Sequence, residues 1–284
     1  MERKFLEVER LRIHAVDLGG SDKPRLLLVH GLGGSIESWR EVLEDLSRLF
    51  HVTAVDLPGY GQSDKPDASY TMEFFADFTC SLIDRLTAEP IVLVGHSMGG
   101  MIAMKTYLRC SERIRALVLI DAAGVSGTAA EKIRRYMADG WNMERLRRIY
   151  LDCIIGRLGE LDEARLKEIL SMMEDPGFRR AYLRSLDAIS KPLSDEEIKR
   201  IRVPTLIIWG SDDKLTPLED GIRLNELIEG SRLVVVDGAG HSPHAEDPRK
   251  VVEEIEKFVS SYFLRRHVQR GIDCGERRGG RELS

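Results

Sequence analysis

The sequence predicts an α/β layered fold with a mostly parallel sheet, on three observations. Six short apolar runs, residues 26–29, 52–55, 91–94, 116–120, 205–209 and 233–236, are unbroken rather than alternating. Strands buried on both faces of a parallel sheet read this way. Helix-like stretches lie between most of the runs, giving the β-α-β-α rhythm of helices layered on a sheet. The third run leads straight into Gly95-His96-Ser97-Met98-Gly99, a glycine-bracketed serine at a strand-to-helix junction.

Residues 5–8 and 13–16 are weaker strands, suited to an antiparallel pair at the leading edge of the sheet. The buried series then runs from 26–29 to 116–120, where the rhythm breaks. Residues 125–202 contain no strand candidate but several helical patterns, among them 146–158 and 164–173. An insertion of roughly 75 residues is too long for a loop and reads as a helical cap. Met137, Met143, Met172, Met173 and Trp141 within it suit either an adaptable apolar pocket or plain core filling. Ser194-Asp195-Glu196-Glu197 offers a capping box, and Thr216-Pro217-Leu218-Glu219 offers an N-cap, a first-position proline and a Glu for a second box. Asp247-Pro248 opens the last helix in the same manner. Residues 265–284, rich in Arg and Gly and poor in apolar side chains, read as a disordered tail. The predicted core therefore comprises residues 1–124 and 203–264, with the cap at 125–202.

At 284 residues, 43% hydrophobic and 31% charged, the chain is long enough to bury a substantial core as a globular protein. Its net charge of −5 gives no global attraction to nucleic acid or to an anionic membrane, so neither is an expected partner. No stretch approaches the about 18 apolar residues of a membrane span, and the start lacks the apolar run of a signal peptide. Cys80, Cys110, Cys153 and Cys274 are scattered, with no Cys-x-x-Cys pair. That pattern predicts reduced thiols of a cytoplasmic protein rather than a disulfide frame or a metal site.

A sharp strand-to-helix turn brings strand and helix backbones together, which requires glycine two before and two after the serine. Gly95 and Gly99 fill both places. The Ser97 hydroxyl needs a base to take its proton and a third group to orient that base. On such scaffolds a carboxylate and then a histidine follow in chain order. Gly210-Ser211-Asp212-Asp213 ends the fifth apolar run, and Gly238-Ala239-Gly240-His241 follows the sixth. The ends of adjacent parallel strands share one sheet edge, where ligands gather, so Ser97, Asp213 and His241 can meet. Asp213, closing the turn just ahead of the helix, is preferred to Asp212; Asp121, after 116–120, is the fallback. The Met98 backbone N–H, at a helix N-terminus, suits a developing oxyanion. The Leu32 N–H is its first-choice partner and Gly33 the second. His244 has no other ligand near it in sequence, so no metal is expected. The glycine-rich segments lack the continuation of dinucleotide or phosphate loops, so no cofactor is expected.

Five motifs occur in order: His30-Gly31, Asp56-Leu57-Pro58-Gly59-Tyr60-Gly61-Gln62-Ser63, Gly95-His96-Ser97-Met98-Gly99-Gly100, Gly210-Ser211-Asp212-Asp213 and Gly240-His241. On these, residues 5–263 resemble the α/β-hydrolase superfamily in its serine-nucleophile branch. The resemblance implies an eight-stranded sheet, a helical cap after strand six, and a triad of Ser97, Asp213 and His241. The interval from Asp213 to His241 and the cap size look like the meta-cleavage-product hydrolases, which cut carbon–carbon bonds. Those usually carry Gly-Pro-Gly where this chain has Gly33-Gly34-Ser35, and Trp where it has Ser242. The expectation is a carboxylesterase whose partner is a small-molecule ester of small to medium acyl chain. A carbon–carbon hydrolase is the alternative, and a ligand receptor with slow turnover the third reading.

Overall fold

The computed structural model describes residues 3–261, so the 265–284 tail lies outside the described residues. Eight strands form one sheet: β1 (Arg3–Val8), β2 (Leu11–Leu18), β3 (Arg25–Val29), β4 (His51–Val55), β5 (Ile91–His96), β6 (Ile114–Ile120), β7 (Thr205–Gly210) and β8 (Arg232–Val236). Their order is β1-β2-β4-β3-β5-β6-β7-β8. β1 pairs antiparallel with β2, and β2 with β4; the remaining pairs are parallel. All six apolar runs and both weaker candidates are strands. β3 to β7 are buried on both faces, as their unbroken apolar runs require, whereas β8 is an edge strand whose Val235 is 41% exposed.

Helices α1 (Arg40–Leu49), α2 (Met72–Leu86) and α3 (Met98–Arg109) alternate with the first parallel strands. Between β6 and β7 come α4 (Thr128–Tyr136), α5 (Met143–Ile149), α6 (Glu163–Met172), α7 (Pro176–Ile189) and α8 (Asp195–Lys199). After β7 follow α9 (Leu218–Leu227), α10 (Pro243–Glu246) and α11, residues 248–261. One core joins α2, α3, α9 and the inserted helices to one sheet face through residues such as Leu93, Leu117 and Ile207. The other packs α1 and α11 on the opposite face against Leu28, Val94 and Ile208.

The punctuation is partly as expected. Ser194 and Glu197 form a capping box, and Asp247 Oδ1 accepts the Lys250 N–H over 3.1 Å. Thr216 does not cap α9, whose N-cap is Pro217 with no side-chain bond. The predicted 146–158 helix is also shorter: α5 passes into one π-helical turn at Tyr150–Ile154 and Ile155 is extended. The physical reason is competition for the backbone. The Ile154 carbonyl accepts the His241 N–H at 2.7 Å, and the Leu158 N–H donates to the Gly238 carbonyl at 3.1 Å. These bonds replace the next helical turn.

The cysteine expectation is corrected. Cys80 on α2 and Cys110 at the end of α3 form a disulfide, 30 residues apart in sequence. Packing of α2 along α3 brings their Cα atoms to 6.3 Å, within ordinary disulfide reach, and linear spacing carries no trace of that approach. Cys153 is a buried free thiol; Cys274 lies outside the described residues. Among those residues no helix is long and apolar enough to cross a membrane.

At the strand-to-helix turn, a Cβ on Gly95 would stand 2.2 Å from the Gly99 carbonyl oxygen, and one on Gly99 2.1 Å from the Val29 oxygen. Neither position has room for a side chain. Between them Ser97 has φ 54° and ψ −119°, a conformation that costs a non-glycine residue about 1–3 kcal/mol.

Replacing Ser97 by Gly relieves that strain and is expected to raise stability by about 1–2 kcal/mol over Ser97→Ala, which keeps it; urea unfolding of both variants measures the difference. Cleaving the disulfide frees a loop whose closure is worth about 3–4 kcal/mol, so Cys80→Ser is expected to lower Tm by about 10 °C. Equal Tm for the oxidised protein and this variant would show that the bond adds no net stability.

Candidate active site

The parallel strands deliver their C-terminal ends to one edge, and the singled-out residues collect there. Ser97 follows β5, Asp213 lies in the loop after β7, and His241 in the loop after β8. Ser97 Oγ donates to His241 Nε2 over 2.9 Å, and His241 Nδ1 donates to Asp213 Oδ2 over 2.7 Å. All three side chains are buried.

Asp213 is built into a turn that begins with its own side chain. Its Oδ1 accepts the Leu215 and Thr216 backbone N–H groups at 2.7 and 3.0 Å, and its Oδ2 accepts the Thr216 hydroxyl at 2.6 Å. Burial pushes this carboxyl up, but the charge and hydrogen bond of His241 and the Thr216 hydroxyl outweigh it and hold the group below the usual carboxylate range. Thr216 is the residue that sequence reasoning misassigned as a helix cap. An Asp followed three residues later by Thr is the readable signal of such a turn. Asp212 points away: its carboxylate pairs with Arg157 Nε at 2.9 Å on the surface. Asp121 lies beside Asp213, completely buried, with Oδ1 accepting the Gly210 N–H at 2.9 Å.

The loop after β3 closes against the serine. The Gly34 N–H donates to the Gly31 carbonyl at 3.0 Å, which makes Leu32 and Gly33 the middle of a turn, with Gly33 at φ +70°. Gly31 approaches so closely that a Cβ there would lie 3.0 Å from Ser97 Cβ. Leu32 and Gly33 line the same cavity as Ser97. Met98 begins α3 immediately after Ser97. Gly33 also gives its carbonyl to Arg165 at 3.1 Å, tying the loop to α6. His30 braces the loop from below: Nδ1 donates to the Gly31 carbonyl at 2.8 Å, and Nε2 accepts the Leu57 N–H at 3.0 Å.

Two further histidines stack under the site. His96 Nε2 donates to the His241 carbonyl at 2.7 Å, and the His244 ring lies between those of His96 and Trp39, with centroids 4.5 and 4.8 Å away. Burial first, then neighbouring imidazoles, push both downward, His244 to about 3, so both are neutral in ordinary buffers. They support His241 rather than compete with it for protons.

A cavity of about 650 Å³ opens above Ser97 and His241. Its walls come largely from the inserted helices, with Ile133, Met137, Trp141, Leu146, Ile149 and Tyr182 supplying apolar surface. Its charges are mostly acidic. Arg40 pairs with Glu41 and Asp162, and Arg165 with Glu168, while Glu37, Glu160 and Glu246 also line it.

Comparison with known proteins fits this geometry. A family model described as alpha/beta hydrolase family matches residues 26–254. A 2-hydroxy-6-oxo-2,4-heptadienoate hydrolase of Pseudomonas putida is 31% identical over 259 residues, covering 85% of this chain and 91% of its own. The solved meta-cleavage product hydrolase from Pseudomonas fluorescens IP01 superposes with a TM-score of 0.78 at 27% identity, covering 91% of this chain and 98% of that one. A putative lipase from Acinetobacter baumannii shares the fold, with a TM-score of 0.82 at 24% identity over 93% and 92% of the two chains. The chain belongs to the alpha/beta hydrolase family and is, at that level, a hydrolase.

Proposed function

We propose that this protein is a serine carboxylesterase acting on neutral esters of small to medium acyl chain. The observation that carries the reading is the unbroken hydrogen-bonded series Ser97–His241–Asp213 at the floor of a cavity lined by apolar and acidic side chains. His241 takes the Ser97 proton as Oγ attacks the ester carbonyl. Asp213 fixes the imidazole tautomer with Nδ1–H directed at its own Oδ2 and steadies the imidazolium that forms. The Met98 and Leu32 N–H groups receive the oxyanion. His241 then returns its proton to the departing alcohol, and a water activated by the same imidazole releases the acid from Ser97. The inserted helices act as the cap that shapes the acyl site.

Carbon–carbon hydrolysis is the second reading, favoured by the identity to the heptadienoate hydrolase. That relative's named substrate is a carboxylate, which an uncommitted cation would favour. Both cavity arginines are already paired, and acidic side chains outnumber them. The charge balance supports the ester.

Hydrolysis of p-nitrophenyl esters from acetate to laurate is expected to show steady turnover with a chain-length optimum, abolished in Ser97→Ala. A higher kcat/KM on 2-hydroxy-6-oxo-2,4-heptadienoate than on any ester of the series would transfer the assignment to the second reading. Asp213→Asn is expected to lower kcat by about 10⁴-fold by stabilising the wrong imidazole tautomer. Asp212→Asn removes only a surface ion pair and is expected to stay within about twofold of the parent. The reverse ranking would refute the assignment of Asp213.

A further inference from the structure

We propose that Asp121 is a neutral carboxylic acid that donates its proton to Asp213, and that it thereby positions the carboxylate facing His241. The inference deepens the hydrolase mechanism above and rests on its assignment of Asp213. Asp121 ends β6 in a strained conformation, φ 42°, and is wholly buried. Its backbone N–H donates to the Ile208 carbonyl at 3.0 Å, and its Oδ1 accepts the Gly210 N–H at 2.9 Å. Oδ2 receives no donor among the described residues. Oxygen atoms of Asp121 and Asp213 and a ring nitrogen of His241 lie within 4.8 Å of one another.

A buried acceptor with no donor is costly, and two carboxylates sharing a buried site cannot both ionise readily. The groups facing Asp121 from its surroundings are Asp213 after β7 and Glu246 on α10, with His241 after β8 beside them. Asp220 on α9 faces the same cluster through Asp213. Among the described residues no lysine or arginine forms an ion pair with Asp121. One proton placed on Oδ2 meets both problems, because it turns an orphan acceptor into a donor aimed at a carboxylate. Which aspartate keeps it follows from the donors. Asp213 receives two backbone N–H groups, a hydroxyl and the imidazole, all of which favour its charged form. Asp121 receives one backbone N–H. Burial, then the charge of Asp213, push its carboxyl well above the usual range. The Asp121–Asp213 pair thus carries one negative charge, on the carboxylate that faces Nδ1.

Asparagine at 121 keeps an acceptor for Gly210 and offers an N–H to Asp213; leucine fills similar space and offers neither. Asp121→Leu is expected to lower kcat by about tenfold or more on the best p-nitrophenyl ester, and Asp121→Asn to restore most of that loss. The acid limb of kcat/KM against pH is expected to coincide for Asp121→Asn and the parent, since neither carries charge at 121. A limb moved down by about one unit in Asp121→Asn would mean that a charge had been removed, and would overturn the proposal. So would equal kcat for the Asn and Leu variants. A readout independent of turnover uses the intact protein labelled with carbon-13 at aspartate carboxyls. At neutral pH one aspartyl carbon is expected at the shift of a protonated acid, and Asp121→Asn should remove that signal. If every aspartyl carbon reads as ionised, the proposal fails even if neither variant folds. Because this readout involves no ester, its failure is distinct from a failure of the esterase reading.

Discussion

The placement of one imidazole governs this molecule. His241 belongs to no helix or strand, yet its two ring nitrogens meet Asp213 and Ser97 together, and in the proposed mechanism a displacement of about 1 Å would cost much of the rate. Three bonds from three parts of the chain fix its backbone. The His241 N–H donates to the Ile154 carbonyl at 2.7 Å, its carbonyl accepts His96 Nε2–H at 2.7 Å, and the Gly240 N–H donates to Glu246 Oε2 at 3.0 Å. The inserted segment, the serine turn and α10 therefore converge on the histidine loop.

That convergence dictates local sequence far from the serine. A Cβ on Gly156 would stand 2.2 Å from the Gly240 nitrogen, one on Gly240 2.2 Å from the Ile154 oxygen, and one on Gly210 2.1 Å from the Gly240 oxygen. Three backbones pass within hydrogen-bonding distance of each other, and only glycine permits it. Glu246 Oε2 also accepts the Gly156 N–H at 3.2 Å, so a single carboxylate ties the insertion and the histidine loop together. Inserted helices that merely covered the cavity could shift without touching the chemistry. Here the segment after α5 shares its backbone hydrogen bonds with the histidine loop, and a displacement of one is passed to the other.

The strands were legible because each is a continuous apolar run, and burial on both faces leaves no other reading for β3 to β7. The serine turn was legible because its two glycines answer a steric demand within five residues. Asp213 could be preferred over Asp212 because its place in the turn precedes a helix-starting proline. What escaped has a common cause. The disulfide joins neighbours on two packed helices, the early end of the 146–158 helix depends on an Ile154 carbonyl and a Leu158 N–H both bonded to the distant histidine loop, and Thr216 serves an aspartate rather than its own helix. The disulfide and the helix end are decided by contacts between distant segments, whereas the Thr216 bond is local and answers the side chain of Asp213; local periodicity is blind to all three. The same holds for His96, which reads as filler in the glycine motif until its ring is seen to hold the His241 carbonyl.

The two strained residues of the site show how the sheet meets the cost of building it. Ser97 and Asp121 both adopt positive φ immediately beyond a parallel strand. Each is held by hydrogen bonds that extend the sheet past its regular end: Ser97 N–H to the Ile120 carbonyl at 3.0 Å, Ala123 N–H to the Ser97 carbonyl at 2.9 Å, and Asp121 N–H to the Ile208 carbonyl at 3.0 Å. Asp121 then reaches across with its side chain to the Gly210 N–H, and Asp212 N–H continues to the Ala239 carbonyl at 2.8 Å. The ladder begun by β5, β6, β7 and β8 thus runs on through the turns that carry serine, aspartate and histidine. Strain at one strand end is offset by bonding to the next, and so Ser97, Asp213 and His241 sit in turns that are hydrogen-bonded to the ends of the sheet.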